Sequence, residues 1–251
     1  LDATVEVTTG TLTVDLAGKS VTRVDGDAFH VTDGNLTIND SSAEKTGHLS
    51  GGGSDINYTA LCVDGGTVTI NGGTFGGYLY SILANGGTVV VNYMIAEEDI
   101  RNVGGNITIN DGIIGDPKDY SGGQIDASGG HTVINGGNYE TEGSSYMFYL
   151  NGGTVEVNDG YFVFPVGSCV RFNTGDSDIV MKGGTYVNGL KVSASYASGV
   201  TACLADLIPS GYYVYDDTGA EVSLGTSKNL KGYYVIGQTS PGARIYNVTY
   251  D

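Results

Sequence analysis

The chain has no tryptophan, only 4 prolines, and only 11 lysines and arginines in 251 residues. A nucleic-acid backbone is gripped by clustered cations, so this balance, with a formal net charge of -17, excludes a nucleic-acid partner. The sequence holds no apolar run of about 18 residues, so it encodes no membrane-spanning helix. Cysteine is scarce as well. Cys62, Cys169 and Cys203 are an odd set without a C-x-x-C spacing, which argues against a disulfide framework and against a zinc site. They are expected to be small buried apolar residues. His30, His48 and His131 show no metal-ligand spacing and are expected on a solvated surface.

What the chain has in abundance is glycine, 42 residues, without the three-residue period of collagen. Apolar residues make up 40 % and recur in short alternating runs, which suits a buried core rather than disorder. The acidic surface favours solubility and offers carboxylates to divalent cations. The opening "LDATVEV" has neither Met nor a basic and apolar leader, and reads as a processed piece of a longer secreted protein. Together with the low lysine content, this places the expected location outside the cell or on its surface.

The stretch "GGTVTINGGTF" at Gly65 returns as "GGTVVVNYM", "GGNITINDG", "GGHTVINGG" and "GGTVEVNDGYF". Its closing position falls at Asp15, Asn39, Asn71, Asn92, Asn110, Asn135, Asn158 and Lys182, a spacing of roughly 24 residues that marks a solenoid. One and three residues before this marker stand apolar pairs such as Val68/Ile70, Val89/Val91 and Ile107/Ile109, on one face of a strand. A second apolar column lies ten residues before it (Phe29, Leu61, Ile82, Ile100, Ile125, Phe148, Phe172). A third lies four after it (Phe75, Ile114, Tyr139, Phe162, Tyr186). Three inward columns per repeat predict an all-β chain: a right-handed parallel β-helix of about eight coils over residues 1–190. The Asn column is expected at a turn with positive φ, each amide bonding its counterpart one coil away, and the glycine pairs at corners.

Residues 191–251 break the repeat. "TACLADLIPSG" predicts a short helix stopped at Pro209, and "YYVYDDTGAEV" a hairpin turning at Asp217-Thr218-Gly219; "GYYVIGQ" and "ARIYNVTYD" predict further strands. This tail is expected to be a mixed β/short-helix cap that covers the open end of the stack.

The repeat resembles the right-handed parallel β-helix proteins of the pectate-lyase-like superfamily, and in particular the glycine-rich repeats of Gram-positive surface proteins. The resemblance spans about residues 1–190 and implies fold more than activity. Polygalacturonase-like enzymes of that group carry Asp residues on adjacent coils and an R-I-K motif. Here the only Asp-Asp is Asp216-Asp217 in the tail, and "RIYN" at Arg244 departs from R-I-K. Arg23, Arg101, Lys118, Arg171 and Lys182 read as scattered among coils. The resemblance therefore implies a noncatalytic extracellular module of a bacterial surface protein, for adhesion or contact with a polysaccharide or cell-surface glycan. The alternative is a polysaccharide lyase or glycoside hydrolase of the β-helix class.

Two sets of residues are candidates for a local site. Tyr78, Tyr80, Tyr120, Tyr146 and Tyr149 fall around corners rather than in the inward columns, where a ring can stack on a sugar face. Glu97, Glu98, Asp99, Asp116, Glu140 and Glu142 fall just past the marker on successive coils, where stacking would bring carboxylates together for Ca²⁺. Glycan contact itself requires no cofactor. The outward threonines of the repeat strand, Thr67 and Thr69 among them, suit any exposed strand.

Overall fold

The computed structural model describes residues 1–53, 58–115, 122–141, 146–164, 169–193 and 202–239. The first coil sets the pattern: β1 (Val5–Val7), β2 (Thr11–Asp15) and β3 (Ser20–Thr22) each begin one of three parallel sheets. Every later coil adds one strand to each sheet in the same order, as a right-handed parallel β-helix does. The second sheet has eight strands, from Thr11–Asp15 to Asp178–Met181. Eight strands bound seven intervals, so the solenoid makes about seven turns, one fewer than the repeat count suggests.

All three predicted columns point inward. In the second sheet Val68, Val89 and Ile107 are hydrogen-bonded neighbours in register, as are Ile70, Val91, Ile109 and Ile134, and all are buried. Tyr139, Phe162 and Tyr186 stack face to face from the third sheet, with centroids 4.9 Å apart at both steps. Ring pairs in contact at this distance add stabilisation beyond burial. The first-sheet column runs Phe29, Leu61, Ile82, Ile100, Ile125, Phe148 and then Val170. Phe172, expected in that column, instead pairs with Leu150. The turn that follows it, Asn173–Ser177, is two residues longer than Asn151–Gly153, which displaces a count made backwards from the marker.

The asparagine ladder is present. Asn71, Asn92, Asn110, Asn135 and Asn158 each donate Nδ2–H to Oδ1 of the preceding asparagine, at 2.7–3.0 Å, starting from Asn39. The expectation of positive φ at this column is wrong. Among the described residues only Ala17, Lys45 and Asn188 are non-glycine residues with positive φ. The left-handed residue is instead the glycine two places later, such as Gly73 (φ 104°) or Gly137 (φ 102°). The ladder asparagines therefore keep negative φ at the strand ends, with their amides aligned along the stack. The glycine pairs have a second reason besides φ. A Cβ on Gly65 would lie 2.3 Å from the Thr32 carbonyl oxygen, and one on Gly129 would lie 1.9 Å from that of Val103.

The parallel stack ends with Leu190–Ser193. Beyond it, a one-turn helix, α1 (Leu204–Leu207), buries Leu204 and Leu207. Its C-cap is Ile208, immediately before the predicted stop at Pro209. Tyr213–Asp216 and Tyr234–Gly237 pair antiparallel and extend the third sheet from Gly184–Val187. Asn229–Leu230 pairs antiparallel with the last first-sheet strand. The turn after Asp216 is held by its own carboxylate, which accepts from the Thr218 and Ala220 amides. "ARIYNVTYD" lies outside the described residues. Reversed strands and a small apolar helix thus follow the last coil and cover sheet edges that a solenoid otherwise leaves open.

Candidate functional site on the outer face of the first sheet

First-sheet strands are mostly three residues long, with the outer two side chains turned inward and the middle one outward. Register stacks those middle residues into one outward column: Glu6, His30, Cys62, Leu83, Arg101, Asp126, Tyr149, Arg171. The column concentrates charged, aromatic and sulfur side chains that are far apart in sequence.

Arg101 lies at its centre. Its Cζ sits 5.2 Å from the Tyr80 ring centroid, its Nη1–H donates to the Tyr80 hydroxyl at 2.7 Å, and its Nε lies 3.5 Å from Asp126 Oδ2. Asp126 is only 7 % exposed, and its Oδ1 accepts from Ser128 Oγ at 2.6 Å. Burial raises its pKa, with Ser128 and Arg101 opposing. Three rungs beyond Arg101, Arg171 stacks over Tyr146, 4.5 Å from its centroid, donates to the Tyr146 hydroxyl, and lies 5.9 Å from Tyr149. The Tyr146 and Tyr149 rings are 6.3 Å apart. Gln124 ties the two halves, because its Nε2 donates to the Tyr146 carbonyl and its backbone N–H to Asp99.

Of the predicted aromatics, Tyr80, Tyr146 and Tyr149 therefore gather on one face. Tyr78 is 54 % exposed in the turn before Tyr80. Tyr120 lies outside the described residues. Arg101 and Arg171, read from sequence as scattered, share one column. For Arg101 a signal was available, since it follows Ile100 of the buried first-sheet column; for Arg171 it was not, because the count from the marker selects Phe172 where register places Val170.

The acidic set divides. Glu97 Oε2 is taken by His48 Nε2 at 3.0 Å, on the third-sheet side. The Glu98 amide donates to Ser81 Oγ. Asp99 opens a first-sheet strand paired with Tyr80, and Glu140 ends a third-sheet strand beside Val163. Asp116 and Glu142 lie outside the described residues. Among the described residues, Glu97, Glu98, Asp99 and Glu140 do not bring three ligand atoms within 4.8 Å of one another; the group that does is His30, Cys62 and Asp64. His30 and His48 are also not simply solvated, since His30 is flanked by Glu6 at 3.1 Å and Asp64 at 2.8 Å. His131 is exposed as expected, with Nδ1 2.8 Å from Thr154 Oγ1. Of the cysteines, Cys62 and Cys169 are buried and Cys203 is half-buried.

No protein-family model matches the chain, and comparison with curated proteins and with solved structures returns no match. The site must therefore be read from its own chemistry.

Asp99 is its most perturbed carboxyl. Burial pushes its pKa up to about 7, the Gln124 amide opposing and Asp126 adding repulsion. A carboxyl whose folded pKa exceeds its unfolded value binds its proton more tightly when folded. Stability from Asp99 is thus fully present below about pH 4 and is lost as pH rises toward 7. Asp99→Asn keeps the acceptor for Gln124 and removes the titration. It should raise the melting temperature at pH 8 and leave it nearly unchanged at pH 4. Equal differences at the two pH values would contradict the burial argument.

Proposed function

We propose that the chain is a noncatalytic glycan-contact module of a bacterial surface protein, and that the outer face of the first sheet makes the contact. One observation carries this reading: Tyr80, Tyr146 and Tyr149 lie beside Arg101, Asp126 and Arg171 on successive rungs. Flat rings offer stacking surface to the apolar faces of sugars. Guanidinium and carboxylate groups at fixed spacing offer donors and acceptors to hydroxyls or uronates. From the Tyr80 strand to the Arg171 strand the face spans four rung spacings, about 19 Å, enough for several sugar rings in line. The extracellular, bacterial setting and the kinship with pectate-lyase-like proteins rest on the glycine-rich repeat and the acidic composition.

Enzymatic cleavage is the second reading, favoured by Asp99 and Asp126, two carboxyls with raised pKa on adjacent coils. Glycosidases use such a pair, one protonated and one ionised. One experiment separates the two. A panel of acidic and neutral polysaccharides is tested for binding to the wild type and to Tyr146→Ala/Tyr149→Ala, and for products after long incubation. Contact predicts saturable binding that weakens at least tenfold in the variant, with no new reducing ends or unsaturated uronides. Products that disappear in Asp126→Asn would establish the enzyme instead, and unchanged binding in the tyrosine variant would remove this face from the contact.

A further inference from the structure

At the first-coil end of the same sheet, His30, Cys62 and Asp64 bring an imidazole nitrogen, a thiol sulfur and a carboxylate oxygen within 4.8 Å of one another. We propose that these three side chains form a site for a borderline d-block dication of the Zn²⁺ class, with one position left open to solvent.

Stacking assembles the site. His30 and Cys62 are partners on adjacent rungs, and Asp64 follows Cys62 by two residues at the strand end. His30 Nε2 and Asp64 Oδ2 are 2.8 Å apart, and Cys62 Sγ is 3.9 Å from Asp64 Oδ1. Ligand atoms around a tetrahedral zinc lie about 3.3–3.8 Å apart, from zinc–ligand lengths of about 2.0–2.3 Å. The His30–Asp64 pair must open by about 0.5 Å to reach that spacing, and the Cys62–Asp64 pair already lies near it.

Two further contacts hold the ligands as a metal site does. His30 Nδ1 faces Glu6 Oε2 at 3.1 Å and Nε2 faces Asp64 Oδ2, so an ion that takes the Nε2 lone pair displaces the proton shared with Asp64 and leaves Nδ1–H donating to Glu6. Carboxylate–histidine–metal arrangements of this kind fix the imidazole tautomer and orientation. Asn85 Nδ2 donates to Asp64 Oδ1 at 2.8 Å from the next coil, which fixes the ligand carboxylate in turn.

The charge balance also suits a dication. Glu6, Asp27 and Asp64 surround the thiol, and no Lys or Arg is paired with any of them among the described residues. Burial first, and then these carboxylates, push the Cys62 thiol up to about 12, far from the activated thiolates of enzymes. Mixed sulfur, nitrogen and oxygen donors favour zinc-class ions over the hard Ca²⁺ or Mg²⁺, which take oxygen ligands. No local pattern points to the site, because His30 and Cys62 stand 32 positions apart and no short spacing motif joins them.

The test uses the whole chain, stripped with chelator and titrated with Zn²⁺ in millimolar Mg²⁺ to occupy nonspecific carboxylates. One equivalent should bind saturably and raise the melting temperature, since an ion that prefers the folded state stabilises it. Cys62→Ser and His30→Ala should each weaken binding at least tenfold, and Cys203→Ser should not. Co²⁺ in place of Zn²⁺ should give a thiolate-to-metal charge-transfer band in the near ultraviolet, absent in Cys62→Ser. Absence of that band in the wild type would overturn the site without recourse to any variant. So would absence of saturable binding in magnesium, or binding that survives Cys62→Ser.

Discussion

Ile109→Asp should destabilise the solenoid by about 4 kcal/mol or more, from lost apolar burial plus an unpartnered buried carboxyl. Ile109 is fully buried at mid-stack, with Val91 below it and Ile134 above it in the same column. A carboxylate there has Val91 and Ile134 on either side in its column and no access to water, so it must desolvate or take up a proton. The loss should therefore be smaller at pH 4 than at pH 8. Thr108→Asp is the matched control, because position 108 points outward on the same strand and its neighbours Val90 and Val133 are only half-buried. That change should cost less than about 1 kcal/mol, as for ordinary surface substitutions. Denaturant melts of the two variants decide the matter. If Ile109→Asp keeps the wild-type midpoint, the inward and outward faces of the second sheet have been exchanged.

The contrast between these two positions also shows what was legible in the sequence. Alternation of period two over four or five residues identifies an inward face from local pattern alone. The second-sheet columns and the asparagine ladder were readable for that reason. First-sheet strands are mostly too short to alternate, having one outward residue between two inward ones. Their partners are also reached across corner loops of different lengths. The outer column from Glu6 to Arg171 therefore has no local signature, and Arg101 and Arg171 read as unrelated cations. Register supplies the missing information: stepping one residue on from Phe29, Leu61, Ile100, Ile125 and Phe148 lands on His30, Cys62, Arg101, Asp126 and Tyr149. The described members of the acidic set lie apart for a related reason. Equal offsets from the marker do not give equal positions when corners differ, so Glu97 faces His48 while Asp99 already belongs to the next sheet.

Gly129→Ala should be among the most damaging single-methyl additions in the chain. A Cβ there would lie 1.9 Å from the Val103 carbonyl oxygen and 2.9 Å from its carbon. The obstacle is backbone of the preceding coil rather than a mobile side chain, so the coils themselves must separate. Separation strains the Gly129 N–H to Asn102 carbonyl bond, 3.0 Å long. It also disturbs the buried Asn102 side chain, whose Nδ2 donates to the Gly105 and His131 carbonyls and to Thr132 Oγ1. Lost rung bonds and an amide left without acceptors should together cost about 3 kcal/mol. Gly52→Ala is the comparison. Position 52 has no positive φ, and among the described residues its added Cβ meets nothing closer than 3.7 Å. That substitution should be neutral, or stabilise by about 0.5 kcal/mol through the unfolded chain. Because coils contact mainly their neighbours, the damage at Gly129 should also be local in space. The rungs on either side can lose cooperativity, giving a shallower denaturant slope as well as an earlier midpoint. Hydrogen exchange would then show faster exchange at Asn102–Gly105 and Gly129–Thr132 than at the first coils. Equal melting midpoints for Gly129→Ala and Gly52→Ala would mean that the glycine pairs serve turn conformation alone and do not set the distance between coils.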